Sequence, residues 1–400
     1  MLIQNARIVT QNGIKTGDIL LENGIIAAVK KKLDPKGQTL LDAKGLTALP
    51  AFIDLHCHFR TPGFEYKEDI TSGSKAAARG GYTHVTTMAN TKPVCSSAAI
   101  AQSVMDEAKR VGLCEVNQCI SITKDFDGKT VSHLKALPHN IKCISEDGKG
   151  VQNSYTMWQA MQIAAAKNLL VMSHAEDMEI SPFDYRLAEN IETVRNILLA
   201  ESTGARLHLC HVSTKEALAA AIAAKKRGAH ITFEVTPHHI WFADTPYRVN
   251  PPIRAKADVE AIIAAMKNGE VDAIATDHAP HSVEDKANGA PGMVGLETAF
   301  SVCYTKLCVQ NNLPLTALCK MLSTNPARIL GLHKGEIAPG FDGDIVLVDE
   351  AETNVVNPDD FAGKSHNTPY EGDLLTGKVK YTLKGGCITY TDKKVEEIKC

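Results

Sequence analysis

Residues 169–213 carry LLVMSHAED (169–177), the helix-patterned ENIETVRNILLAES (189–202) and RLHLCHVS (206–213). Two short apolar runs separated by a stretch of helical period form a strand–helix–strand unit, whose strands pair in parallel. The unit repeats in both directions. Upstream lie PAFIDLHCHF (50–59), YTHVTTMAN (82–90), EVNQCISI (115–122) and IKCISEDG (141–148). Downstream come HITFEVTPHH (230–239) and VDAIATDHAP (271–280). Helical patterns separate most of them: SGSKAAARGG (72–81), AAIAQSVMDEAKR (98–110), YTMWQAMQIAAAK (155–167), TKEALAAAIAAKKRG (214–228) and VEAIIAAMKNG (259–269). Eight strands alternating with helices over about 240 residues predict an α/β chain folded as a (β/α)8 TIM-type barrel rather than an open doubly wound sheet. No glycine-rich phosphate loop follows any strand, which weighs against a nucleotide-binding sheet.

The two ends read differently from the middle. LIQNARIVT, DILLENG and IIAAVKKKL are strand-like, with hairpin turns at Asn12-Gly13 and Asn23-Gly24. DIVLVD (344–349) and YTLKGGCITY (381–390) match them in character. The expected organisation is one small β-sandwich module built from residues 1–48 and 337–400, with the catalytic barrel at 49–336.

Composition excludes several classes. Hydrophobic residues make up 44% and charged residues 22%, ordinary for a globular chain. The 43 Lys and Arg against 46 Asp and Glu leave a net charge of −3, which offers no field for nucleic acid or an anionic membrane. Apolar runs such as Ala217 to Ala224 fall far short of the roughly 20 residues a membrane span needs. MLIQNARIVTQNG has no charged start followed by an apolar core, so no signal peptide is expected and a cytoplasmic location is. The 11 cysteines are spread thinly without CxxC spacing, which reads as buried thiols rather than disulfides or a cysteine-held zinc.

The polar residues gather where the strands end. His56 and His58 lie two apart, so a strand would turn both toward the barrel axis. Asp147, His174, His211 and Asp277 close four further strands, at the end where barrels carry chemistry. Any one such histidine is ordinary; six imidazole and carboxylate donors at strand ends form a pattern suited to zinc, with manganese and iron accepting the same donors. Six donors exceed one tetrahedral site and suit a metal pair sharing a carboxylate and an activated water. The other histidines, including the adjacent His238 and His239, read as structural or surface residues.

At these residues the sequence resembles the cyclic-amidase branch of the amidohydrolase superfamily, and most closely the bacterial class I dihydroorotases. The motifs are DLHCHFRTPG (54–63), TSGSKAAARGGYT (71–83), NTKP (90–93), LHLCHVST (207–214), NPPIR (250–254) and TDHAPHSVEDK (276–286), with APGFDGDIVLVD and NTPYEG near the end. The resemblance implies that His56, His58 and Asp277 hold one zinc and His174 and His211 a second, with Asp147 between them. It implies that Arg60, Asn90 and His281 bind the carboxylate of dihydroorotate, while Asn250 and the Pro291-Gly292 backbone contact its ring. The implied reaction is reversible hydrolysis of dihydroorotate to N-carbamoyl-aspartate in pyrimidine biosynthesis, with Asp277 as general acid and base. The implied partners are the small-molecule substrate, a second copy in a homodimer, and aspartate transcarbamoylase.

Four positions depart from the family pattern. Met88-Ala89-Asn90 replaces Met-Pro-Asn, Ser145-Glu146-Asp147 replaces Thr-Asp-Asp, APGMVG replaces APFGIVG, and the stretch from His174 to His211 is short. Related enzymes bridge their metals with a carboxylated lysine, and Lys142 opens the same strand as Asp147; the unmodified carboxylate is the preferred bridge. Two rival functions are a hydantoinase, dihydropyrimidinase or allantoinase, and a metal-free dihydroorotase-like partner of aspartate transcarbamoylase. Arg60, Asn90 and His281 favour a carboxylate-bearing substrate over the first, and the intact ligand set opposes the second.

Overall fold

The computed structural model describes residues 1–392. Strand β1 (Leu2–Thr10) runs antiparallel to β2 (Gly13–Glu22), which turns at Asn23-Gly24 into β3 (Ile25–Lys30). Both expected hairpins are present. Strands β4 (Leu40–Asp42) and β5 (Thr47–Pro50) then pair in parallel with β1.

All eight expected strand segments of the middle region form. They are β6 (Phe52–Cys57), β7 (Tyr82–Thr87), β8 (Glu115–Gln118) with its continuation β9 (Ile120–Ser121), β10 (Cys143–Ser145), β11 (Leu170–Ser173), β12 (Arg206–Leu209), β13 (Ile231–Val235) and β14 (Ala273–Ile274). Pairing is parallel throughout, in two sheets of order β6-β7-β8 and β9-β10-β11-β12-β13-β14. The last strand also reaches the first: the Asp277 N–H donates to His56 O and the His58 N–H to His278 O, both at 2.9 Å.

All but one of the helices between them begin at polar caps, the exception being the last, which follows Ala255. α1 (Ile70–Arg79) starts from the Asp69 carboxylate in a capping box with Ser72, and α2 (Ala98–Val111) from Ser97. α3 (Ser154–Lys167) starts from Asn153, α4 (Tyr185–Thr203) from Asp184 and α5 (Lys215–Lys226) from Thr214. The short α6 (Pro237–Trp241) follows β13, and α7 (Lys256–Lys267) precedes β14. The six helical stretches expected from the sequence are α1 to α5 and α7. Among the described residues, no helix is long and apolar enough to cross a membrane.

The chain then returns to the first sheet. β15 (Ile345–Val355) pairs antiparallel with β5, and β16 (Leu374–Lys384) and β17 (Cys387–Thr391) complete the order β17-β16-β15-β5-β1-β2-β3, with β4 beside β1. Strands from both ends of the chain therefore share one sheet. Its strands hydrogen-bond into a single eight-stranded sheet rather than two separately paired layers. Alternation along β15 explains how one sheet serves two cores. Ile345 and Leu347 pack with Ile3, Ile8 and Ile19, while Val346 and Val348 join the large core of the parallel strands. Burial on both faces is why IVLV reads as a continuous apolar run. Residues 393–400 of the expected module, Cys400 among them, lie outside the described residues; of the ten described cysteines eight are buried.

Candidate metal centre

His56 is the second-last residue of β6 and His58 follows its end; their rings lie 5.3 Å apart. Asp147, His174, His211 and Asp277 sit one to three residues beyond β10, β11, β12 and β14. All six are buried and converge. His56 Nε2 lies 3.2 Å from Asp147 Oδ1 and 3.6 Å from Asp277 Oδ1, and His58 Nε2 lies 3.2 Å from Asp277 Oδ1 and 3.7 Å from Asp147 Oδ2. His174 Nδ1 lies 2.9 Å from His211 Nε2 and 3.6 Å from Asp147 Oδ1, which puts Asp147 between the two histidine pairs. Donor atoms of His56, His58 and Asp277, and of His56, Asp147 and His211, lie close enough to share an ion.

Second partners aim the rings inward. His58 Nδ1 is 3.0 Å from Asn90 Oδ1, and Asn90 Nδ2 donates to Asp147 Oδ2 at 2.8 Å. His174 Nε2 is 2.9 Å from Glu176 Oε2. His56 Nδ1 is 3.3 Å from Glu234 Oε1, and Glu234 Oε2 is held by His208 Nε2 at 2.8 Å. A carboxylate behind a ligating imidazole fixes its tautomer and raises its basicity. Asp54 supports the same shell, accepting from the Thr276 backbone N–H at 2.9 Å.

The buried donors of the cluster suit a cation. With Nδ1 of the fully buried His56 turned to Glu234, Nε2 makes no well-aligned hydrogen bond and faces the Asp147 and Asp277 carboxylates, where a cation would take it up. Burial, then His174 and His56, hold the His211 imidazole well below its ordinary range, so it offers a lone pair. Burial works against charge on Asp147, yet His56, His58 and His174 hold its carboxyl well below the usual range. Cys210 and Glu234 also crowd His56, but burial pushes that thiol up to about 12, so it stays protonated and a poor ligand.

Beside the cluster opens a cavity of about 210 Å³ lined by Arg60, Asn90, Asn250, His281, Pro291 and Gly292 together with five of the six candidate ligands; His56 lies beneath. Arg60, like His58, lies past the end of β6. It sits in a left-handed conformation (φ 60°), with Nε donating to Pro280 O at 3.2 Å and Nη2 3.3 Å from His281 Nε2. His211 (φ 37°) and Asp277 (φ 47°) share this unusual backbone, as strained residues at functional sites do. Burial, then Arg60 and Lys67, push His281 down to about 3, leaving it neutral. Lys286 Nζ donates to the carbonyls of Arg248, Ala290 and Gly292 at 2.9–3.0 Å, pinning the loop at Pro291-Gly292. Gly292 tolerates no side chain: its φ is 131° and a Cβ would lie 2.7 Å from Ala279 Cβ. Asn250 Nδ2 donates to Glu176 Oε2 at 2.8 Å and so reaches the cluster's edge.

Lys142 is exposed at the opposite end of β10, lining a separate cavity with Arg206 and Arg328, five residues from Asp147. His238 and His239 join none of the candidate ion-holding groups among the described residues; His239 lies between Thr236 Oγ1 and Pro251 O. The sequence reading missed Glu176, Glu234, His208 and Asn367. His208, one of the histidines read as structural or surface, is fully buried. Asn367 accepts from the His281 N–H at 3.0 Å and donates to Ala279 O and Gly292 O at 3.2 Å. A glutamate inside the apolar run ITFEV was the available signal for Glu234.

The amidohydrolase family model matches residues 47–389. The chain belongs to that family. Within it the chain is 51% identical to a dihydroorotase of Clostridium botulinum (strain Eklund 17B / Type B), over 98% of this chain and 99% of the relative. A dihydroorotase of Caldanaerobacter subterraneus subsp. tengcongensis is 39% identical, over 98% of this chain and all of the relative. Among solved structures, a D-hydantoinase (dihydropyrimidinase) from Thermus sp. superposes with TM-score 0.87 at 26% identity, covering 99% of this chain and 97% of that one. An L-hydantoinase (dihydropyrimidinase) from Arthrobacter aurescens gives TM-score 0.89 at 22% identity with the same coverage, a likeness of fold.

Proposed function

We propose that the chain is a dihydroorotase, catalysing reversible hydrolysis of (S)-dihydroorotate to N-carbamoyl-L-aspartate on a closed (β/α)8 barrel. Near-full-length identity to dihydroorotases supports the activity. The observation that carries the substrate choice is Arg60, with neutral His281 and Asn90, facing one cavity beside the ligand cluster. A guanidinium fork there grips a carboxylate in two prongs, a group that hydantoin, dihydropyrimidines and allantoin lack on the ring.

His56, His58 and Asp277 would hold one zinc, His174 and His211 a second, with Asp147 between. Bound zinc lowers the pKa of water and polarises a carbonyl oxygen. Asn250 and the Pro291-Gly292 backbone orient the ring, while Arg60, Asn90 and His281 hold its carboxylate. In the hydrolytic direction water adds to the ring amide carbon and the C–N bond breaks. Asp277 takes the proton from the attacking water and delivers it to the departing nitrogen. Cyclisation runs the same transfers backwards. The division at 49–336, cytoplasmic residence and contact with aspartate transcarbamoylase belong to the same proposal.

Assaying purified enzyme with dihydroorotate beside hydantoin and allantoin tests the reading. Turnover confined to dihydroorotate is expected; preference for an uncharged ring would move the chain to the hydantoinase reading.

A further inference from the structure

Three of the strands that lead to candidate ligands begin around a second hollow. Lys142 directly precedes β10, Leu170 opens β11 and Arg206 opens β12, while Asp147, His174 and His211 lie past the other ends of the same strands. The hollow at these starting ends has a volume of about 510 Å³, and His139, Lys167 and Arg328 line it as well. None of the residues lining it is acidic. A chain with a net charge of −3 therefore gathers four Lys and Arg side chains around one cavity that the proposed reaction does not use.

Helix ends account for two of the four. Lys167 is the last residue of α3, and Arg328 stands in the last turn of the helix Asn325–Leu330, where the carbonyl end of a helix favours a cation. Arg328 also lies 3.5 Å from Glu336. Lys142 and Arg206 belong to no helix. Among the described residues, neither Lys142 Nζ nor Lys167 Nζ has a hydrogen-bond or ion-pair partner. Arg206 is half-buried, and its Nη2 donates to Ile329 O. That bond uses one of the five guanidinium N–H groups and fixes the plane of the rest. Like charges held together repel, and an anion seated among them offsets that cost.

The cavity's size falls within the range of about 300–1,000 Å³ typical of small-molecule sites. Its walls between the cations are apolar, at Ile141, Leu170 and Leu330 among others. We propose that this hollow binds a small phosphorylated molecule, its phosphate held by the Arg206 fork and by the Lys142 and Lys167 ammonium groups. A guanidinium meets two phosphate oxygens at once, and the lysines add point charges around the third. Bound there, the ligand would tie the start of β10 to the start of β12 across β11, away from the substrate cavity.

Isothermal titration of the metal-loaded chain with inorganic phosphate and with ribose 5-phosphate tests this. Lys142→Ala/Lys167→Ala should bind at least about tenfold more weakly, with dihydroorotate hydrolysis in phosphate-free buffer unchanged. Lys142→Arg/Lys167→Arg keeps both charges and should keep the affinity. The ligand should raise the melting temperature of the natural chain and not that of the alanine pair. Should the alanine pair fail to fold, Arg206→Lys serves instead, since it keeps the charge and loses the fork, and its affinity should fall as well. Tighter binding of ribose 5-phosphate would assign the site to a phosphate ester, and equal binding to the free ion. Binding of neither probe, or equal binding by the alanine pair, as for phosphate held at the metal centre, would overturn the proposal.

Discussion

Replacing Arg60 with lysine separates charge from fork. Lysine keeps the positive charge and meets the same left-handed backbone demand, so local strain is unchanged. What disappears is the planar pair of N–H groups and the edge contacts that fix it, Nε to Pro280 O at 3.2 Å and Nη2 beside His281 Nε2 at 3.3 Å. One hydrogen bond to a charged group contributes about 1.5–3 kcal/mol. At about 1.4 kcal/mol per tenfold, losing one of two prongs should lower kcat/KM for dihydroorotate roughly ten- to a hundredfold. The loss should appear in KM, because the carboxylate lies away from the amide being cleaved. Steady-state hydrolysis across a wide dihydroorotate range, followed by the ring amide's ultraviolet absorbance, separates the two constants. An unchanged KM, or a collapse of kcat at constant KM, would refute Arg60 as the carboxylate anchor.

Other outcomes follow from the same geometry. Glu234→Gln should weaken zinc binding about 10- to 100-fold through the loss of His56 orientation, read by competition with a chelator; unaltered affinity would remove Glu234 from the site's support. His58→Ala should abolish turnover and lower the metal content per chain, since one pair of ligands then has no partner across Asp277. With His281 held near 3 by burial, Arg60 and Lys67, its imidazole stays neutral above that pH, so kcat/KM should show no His281 ionisation near 6.5. An acid limb that moves in His281→Gln would contradict this. For stability the sign is the reverse of a paired histidine: between about 6.5 and 3 the unfolded chain takes a proton the fold refuses, so this residue's contribution falls as pH falls through that window. Gly80→Ala should cost about 1–3 kcal/mol, since its Cβ would lie 2.1 Å from Leu296 O; thermal denaturation measures it.

Much of the fold is legible in the chain because period and chemistry agree. The strands from β6 to β14 are short apolar runs with polar residues at or just past their ends, and α1 to α6 start at side-chain caps, α7 alone of these seven lacking one. The candidate ligands are legible for the same reason: a strand end fixes where a side chain points. The support shell is less so. Glu176, Glu234 and Asn367 come from three distant segments, and only packing shows that they meet His174, His56 and His281. The direction of Arg60 is not legible, because β6 ends at Cys57, after which two-residue alternation no longer applies. The pairing of the terminal strands into one sheet depends on β5 meeting β15, a register that no local pattern encodes.

Metal dependence tests the central claim most directly. Purified chain should carry close to two zinc ions, lose dihydroorotate hydrolysis on dialysis against a chelator, and regain it when zinc is returned. A chain that turns dihydroorotate over at full rate with no metal bound would contradict the account.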